Sequence, residues 1–298
     1  MPSNTLDEPK LKRALNECPR LASLRSINDA LHELMHAEQT PAGRIADLIR
    51  KDPALTTRLL KLTNSAFFGL SQAVTSIEDA VLLLGTRQIR ELALATPVIE
   101  EFEALKKIHN KVNWTSLWQH SVGSAIITRE ILSIAQVSTK GDVSYIAGLV
   151  HNIGKIVIAY VFPEEFHTLI ETKAATPEAF CEKERELLGW DHAQIGAYHL
   201  ARNELPKEVV EAVRFHHNPI DAPEHAPISA ALQIADYMLR FGGIEYIENI
   251  DPIEQDSWKK LEAWRILFGE EEEESHNPRL DALEQSLNIL PEMLHEMV

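Results

Sequence analysis

Apolar and polar positions follow the period of a helix along most of this chain, and no strict two-residue alternation lasts long enough to predict a sheet. Asp52-Pro53 opens a segment carrying Leu55, Leu59, Leu60 and Leu62, with proline in a first turn where its missing N–H has no helical partner. Ser76-Ile77-Glu78-Asp79 has the form of a capping box ahead of Ala80, Leu83 and Leu84 on one face. Gly85 suits the turn that closes that helix, and Thr86 starts another reaching towards Pro97. Longer amphipathic runs follow from Trp114 to Ile134, Asp142 to Phe162, Asp191 to Glu204, Pro206 to His217 and Ile228 to Phe241. After Gly242-Gly243 the character changes. Asp251 to Phe268 reads as helix, Glu270 to Glu274 as a solvated acidic linker whose like charges oppose packing, and Pro278 to Met297 as a last amphipathic helix. The pattern predicts an all-α, multi-helix bundle without internal repeats.

Composition narrows the function classes. A chain of 298 residues with 45% hydrophobic and 25% charged residues has room for two compact domains, or one with a helical extension. Its formal charge of −16 argues against general nucleic-acid binding, which needs a dense Lys/Arg surface, although a local basic pocket is compatible with it. Cys18 and Cys181 are too few and too far apart for a disulfide framework or a cysteine-based zinc site. Met1 to Glu8 is polar and acidic, unlike a signal peptide. The longest apolar stretch, Ile153 to Phe162, is interrupted by Lys155 and too short for a bilayer, so the expectation is a cytoplasmic protein with no membrane partner.

Thirteen histidines are more than a chain of this length usually needs. His120, His151, His192, His216, His217 and Asp236 stand out because each lies in or beside an apolar helical run. Polar groups on core-facing helices must find partners or suffer desolvation, and convergence on a metal would provide those partners. His216-His217 lie roughly 100° apart around a helix, and Asn218-Pro219 supplies the helix end that lets both serve one site. Lys155, four residues after His151 on the same face, is placed to meet a phosphate or a carboxylate.

Two rival motifs carry less. His32-Glu33-Leu34-Met35-His36 matches the H-E-x-x-H helix of zinc peptidases, but a third ligand and a strand to shape a peptide cleft are missing from its surroundings. Gly154-Lys155 has neither the spacing nor the following Ser/Thr of a P-loop, and there is no Gly-x-Ser-x-Gly elbow.

The run Ala147-Gly-Leu-Val-His-Asn-Ile-Gly-Lys155 resembles the motif of the HD superfamily of metal-dependent phosphohydrolases, with His151-Asn152 in place of His-Asp. Gly189 to Ala197, Leu205-Pro206, His216-His217 and Ala235-Asp236 follow the order of the superfamily's HD-GYP branch, and His120 matches its first histidine ligand. Asp52 to Thr56, Asn64-Ser-Ala-Phe-Phe-Gly69 and Ser76 to Val81, then Leu84-Gly85, closely resemble the HDOD family, a regulatory branch. The resemblance spans roughly residues 12–242. It implies an HDOD N-terminal helical subdomain at 1–112, an HD-like helical subdomain at 113–245 and a helical extension at 246–298.

The same resemblance implies a metal site built from His120, His151, Asn152, His192, His216, His217 and Asp236, taking a divalent transition metal: iron, manganese, nickel or zinc. Asn152 lacks the charge of the aspartate that can bridge two ions, and amides are weak ligands for such metals. The segment 218–223 also lacks the GYP signature. The implied function is therefore a non-catalytic regulatory module of bacterial-type signal transduction, binding a signalling protein or a small ligand. The alternative is a phosphohydrolase with an atypical His-Asn site, in which Lys155 steadies a phosphate. Asn64, Ser65 and Phe68 sit in the most family-like stretch and read as turn and core residues.

Overall fold

The computed structural model describes residues 8–18, 74–85, 113–140, 142–244 and 249–269, together with positions 46, 49, 56, 59, 60, 63, 64, 89, 283, 287, 290 and 294. The chain is all-α. Among the described residues the continuous helices are α1 (Glu8–Glu17), α2 (Trp114–Ile134), α3 (Val143–Val150), α4 (Ile153–Val161), α5 (Pro163–Ile170), α6 (Pro177–Leu188), α7 (His192–Arg202), α8 (Lys207–Phe215), α9 (Ala226–Phe241) and α10 (Glu262–Phe268), with a further helical stretch over 77–85. Among the described residues the extended structure amounts to β1 (Lys173–Ala174) pairing in parallel with β2 (Asn249–Ile250).

The chain divides into two compact units, residues 1–20 with 120–284, and residues 21–119 with 285–298. In the second, Ser76 caps the helix over 77–85 by accepting from the Asp79 N–H at 3.3 Å, and Gly85 closes it at φ 77°. Asn64 holds Val74 by both amide atoms, its Oδ1 accepting from the Val74 N–H at 2.6 Å and its Nδ2 donating to the Val74 carbonyl at 2.8 Å. That clasp gives Asn64 the structural role its sequence context suggests. Ser65 and Phe68, the His32-to-His36 motif, Asp52-Pro53 and the acidic run at 270–274 lie outside the described residues, while positions 56, 59 and 60 of the segment that Asp52-Pro53 opens are helical.

In the first unit α7 packs on α4 and α8, and α9 packs on α3, α8 and α10. The sequence reads 142–162 as one helix, but the chain turns at His151-Asn152 into α3 and α4. The cause is local: the His151 ring Nδ1 takes the Gly148 carbonyl at 2.6 Å, an acceptor that a continuing helix would need for its own backbone. The span Val143–Val161 is long and apolar enough for a membrane by composition, yet 94% of its apolar window is buried inside the protein, as in a core helix pair. The 251–268 reading also needs correction. Residues 251–256 are not helical, Ser257–Lys260 form a 3-10 turn, and only Glu262–Phe268 is α-helix. Asp256 at φ 60°, a left-handed conformation helices do not use, marks the break.

Glycines permit the tightest approaches. A Cβ on Gly154 would stand 1.9 Å from the His192 carbonyl oxygen, and one on Gly148 would stand 2.4 Å from the Ala125 Cα. Because both obstacles are backbone, neither can swing aside. Gly154→Ala is expected to destabilise the protein by about 3 kcal/mol or more, at the upper end of overpacking costs, as read by urea denaturation. An unchanged midpoint would show that α4 and α7 can part at no cost.

Candidate metal centre

Three turns of chain and two helix faces bring the site together. The capping box that opens α7, Asp191 with Gln194, sets His192 at its first helical position: Gln194 N–H donates to Asp191 Oδ1 at 2.9 Å, and Asp191 N–H to Gln194 Oε1 at 3.1 Å. Arg185 pairs with the Asp191 carboxylate across the same turn. His216 is the C-cap of α8, with His217 beside it, so the helix end lets both rings turn inward as the sequence predicts. His151 and Asn152 occupy the α3–α4 turn, and His120 and Asp236 come from the buried faces of α2 and α9.

The rings form a continuous chain. Centroids lie 5.6 Å apart for His120 and His151, 5.2 Å for His151 and His216, 5.4 Å for His216 and His192, 4.9 Å for His192 and His217, and 3.9 Å for His216 and His217. Asp236 joins at one end, its Oδ1 being 2.8 Å from His120 Nε2. All seven candidate ligands of the sequence reading, and Lys155, thus lie in one neighbourhood, buried except for the partly exposed His217.

Their hydrogen bonds set which nitrogen faces the site. His151 and His216 each donate Nδ1–H to a carbonyl three residues back, Gly148 at 2.6 Å and Val213 at 2.7 Å, which leaves Nε2 as the lone-pair atom. His192 donates Nδ1–H to Glu184 Oε2 at 2.6 Å, and the same oxygen accepts the His192 backbone N–H at 2.8 Å. A carboxylate behind an imidazole is the usual orienting partner of a metal-ligating histidine. His192 Nε2 then meets His217 Nε2 at 3.1 Å. That separation is close to the edge of about 3.3 Å spanned by two metal–nitrogen bonds of about 2.0 Å at a tetrahedral angle. His216 Nε2 is fully buried with no partner.

Burial holds every one of these imidazoles below its ordinary range. For His151 and His217 the neighbouring His216 adds to the effect, and for His192 the Lys155 ammonium does. His216 falls to about 4, and in His120 burial outweighs the opposing pull of Asp236. Burial alone would push the Asp236 carboxyl up, but Arg240 first, then His120, hold it well below the carboxylate range. Neutral imidazoles and an ionised carboxylate are the ligand forms, so the donor set fits a transition metal.

Asn152 changes half of this site. Its Nδ2 donates to His151 Nε2 at 2.6 Å, and its Oδ1 accepts from Lys155 Nζ at 2.6 Å. The lysine fixes the amide's orientation, since the flipped amide would set two donors face to face. The ligand atom of His151 is therefore engaged by its neighbour. Lys155 itself is turned to Asn152 and is 2% exposed.

Three participants escaped the sequence reading: Cys181, Glu184 and Arg240. Arg240 donates Nε–H to Asp236 Oδ2 at 3.0 Å, an i, i+4 pair that its spacing could have flagged. Cys181 and Glu184 lie on α6, and nothing in their spacing from His192 announces the contact. Two groups of ligand atoms lie within 4.8 Å of one another here: His120, His151 and Asp236, and Cys181, His192 and His217. A third group, Glu211, Glu224 and His225, is a loop clamp, with Glu211 Oε1 accepting the backbone N–H of Glu224 at 2.7 Å and of His225 at 2.6 Å.

His199 lies on α7, outside the cluster. It is 2% exposed and neither ring nitrogen has a partner. Burial, and secondarily Arg202, lowers its pKa from 6.5 to about 4. The unfolded chain binds the proton first, so stability is full above about pH 6.5 and is lost as the pH falls towards 4. A His199→Leu protein is expected to lack up to about 3 kcal/mol of that loss in denaturation curves taken across this window. Superimposable slopes for the two proteins would show that His199 is not the group being charged.

The HDOD domain family model matches residues 21–219. An uncharacterized protein of Treponema pallidum (strain Nichols) is 30% identical over 265 residues, covering 86% of this chain and 48% of that protein. The chain thus spans about half the length of the curated relative it matches. Among solved structures, an HDOD domain protein of unknown function from Geobacter sulfurreducens shares 23% identity at a TM-score of 0.73, with 98% of this chain and 99% of that one covered. A candidate phosphohydrolase from Shewanella amazonensis SB2B shares 24% identity at a TM-score of 0.65, with 96% of each chain covered. At these identities the solved structures speak for the fold.

Proposed function

This chain belongs to the HDOD family, and we propose that it serves as a non-catalytic regulatory module that binds a signalling partner or a small ligand, with its histidine cluster kept as a structural centre. The observation that carries this reading is Asn152, whose amide engages the His151 ligand atom while Lys155 supplies a cation beside it. Two close metal ions need a bridging anion, and an amide cannot supply that charge. A cleft of about 300 Å³ in the first unit, lined by residues including Lys140, Val143, Glu208, His225 and Ile228, is of a size that suits a small ligand.

For a divalent ion, His192, His216 and His217 are the best-prepared ligands, because Glu184 and the Val213 carbonyl already orient two of the rings. Bound there, the ion would supply a Lewis acid and a crosslink between the start of α7 and the end of α8. The competing reading, an atypical phosphohydrolase, draws on the near-complete set of neutral imidazoles. Protein purified without chelator, supplied with manganese and assayed on cyclic dinucleotides and generic phosphodiesters, is expected to show no turnover. Hydrolysis that disappears in a His151→Ala protein would replace the regulatory reading with the enzymatic one.

A further inference from the structure

We infer that Cys181 is a metal ligand, joining His192 and His217 in a thiolate-containing site selective for zinc-type ions. The inference rests on the reading above that the cluster holds a metal. Cys181 is 1% exposed on α6, and its sulfur, one nitrogen of His192 and one of His217 all lie within 4.8 Å of one another. Sγ is 3.9 Å from His192 Nδ1, the nitrogen that donates to Glu184, and the ring's other nitrogen, Nε2, is 3.1 Å from His217 Nε2, so an ion shared by the three residues would take His192 through Nε2.

A second observation points to the same place. His216 Nε2 is fully buried without a hydrogen-bond partner, and its Nδ1 is tied to its own helix at Val213, so Nε2 is left as the lone-pair atom of a ring that neighbours His192 and His217. His217 is the nearer of them, at 3.9 Å between centroids. Cys181, His192 and His217 make a set of one thiolate and two imidazoles, with room in a tetrahedral shell for a further ligand. The opposite half of the cluster is less receptive. Asn152 engages His151 there, and Arg240 already neutralises Asp236.

A thiolate also changes which metal is preferred. Sulfur favours zinc and cobalt over manganese or magnesium, which prefer oxygen donors. Binding would release the thiol proton to solvent, leaving the sulfur as the anionic ligand. The carboxylate-rich sites suited to manganese would behave in the opposite way.

Cobalt(II) titration of the chelator-stripped full chain tests this directly. The expected result is one cobalt per chain, with a near-ultraviolet thiolate-to-cobalt charge-transfer band that zinc abolishes and that a Cys181→Ser protein lacks. Glu184→Gln should keep the band but weaken cobalt binding roughly 10- to 100-fold, as loss of an orienting carboxylate does. X-ray absorption at the zinc edge of the unmodified protein needs no variant to fold, and should show a sulfur scatterer at about 2.3 Å. Bound metal with a shell of nitrogen and oxygen alone would overturn the Cys181 assignment and leave the metal centre standing. No uptake of cobalt or zinc would overturn both.

Discussion

An Asn152→Asp protein is expected to bind divalent metal more tightly than its parent, by roughly 10-fold or more, the scale on which changes around metal ligands act. The carboxylate cannot donate to His151 Nε2 as the amide does at 2.6 Å, so the lone pair of that ring is released. It also places a negative charge beside His120, His151 and Asp236, the ligand group the amide now leaves short of charge. Lys155 opposes the gain, because its ammonium, 2.6 Å from Asn152 Oδ1, would pair with the new carboxylate. Adding Lys155→Met should therefore raise the affinity further. Metal content after chelator-free purification and manganese titration read both effects. If the aspartate leaves both unchanged, Asn152 is not what restrains this half of the site.

Arg240→Met is expected to cost about 3 kcal/mol of stability or more, the penalty for stripping one partner from a buried ion pair. Asp236 and Arg240 are both nearly inaccessible, and the 3.0 Å contact between them is the main reason the carboxylate stays ionised inside the core. Methionine keeps much of the stem's packing, so the loss isolates the charge. The double variant with Asp236→Asn should recover most of it, because neither buried charge then remains. Urea denaturation of the four proteins of this cycle measures the coupling. Additive losses would show that the two residues act separately.

Much of this molecule was legible because helix signals are local. The Ser76 cap, the Gly85 turn and the helix start at Asp191 each involve residues within a few positions, and the structure shows each of them, the last as an Asp191–Gln194 capping box that the sequence reading did not name. The site was legible for a different reason: His120, His151 and Asp236 are polar positions on helix faces that must be buried, so they had to find one another. The α3–α4 turn was not visible, since His151 breaks the helix by competing for a carbonyl, and periodicity reports only which faces are apolar. Cys181 and Glu184 were missed because the approach of α6 to the start of α7 is tertiary. A cysteine count asks for pairs and frameworks, whereas here one sulfur lies beside imidazoles supplied by other elements.

The same lock appears twice in the cluster: His151 and His216 each tie Nδ1 to the main-chain carbonyl three residues earlier. Every amino acid offers that carbonyl, so the aim of these two rings does not depend on which side chain stands at the accepting position. Gly148 is confined by the backbone of α2, but Val213 answers only to packing. Substitutions can therefore rebuild the hydrophobic surroundings, and even exchange Asn152 for a carboxylate, while both rings keep their bearing. A centre oriented this way keeps its geometry through changes in the side chains around it, because the aim of its rings is written in the main chain.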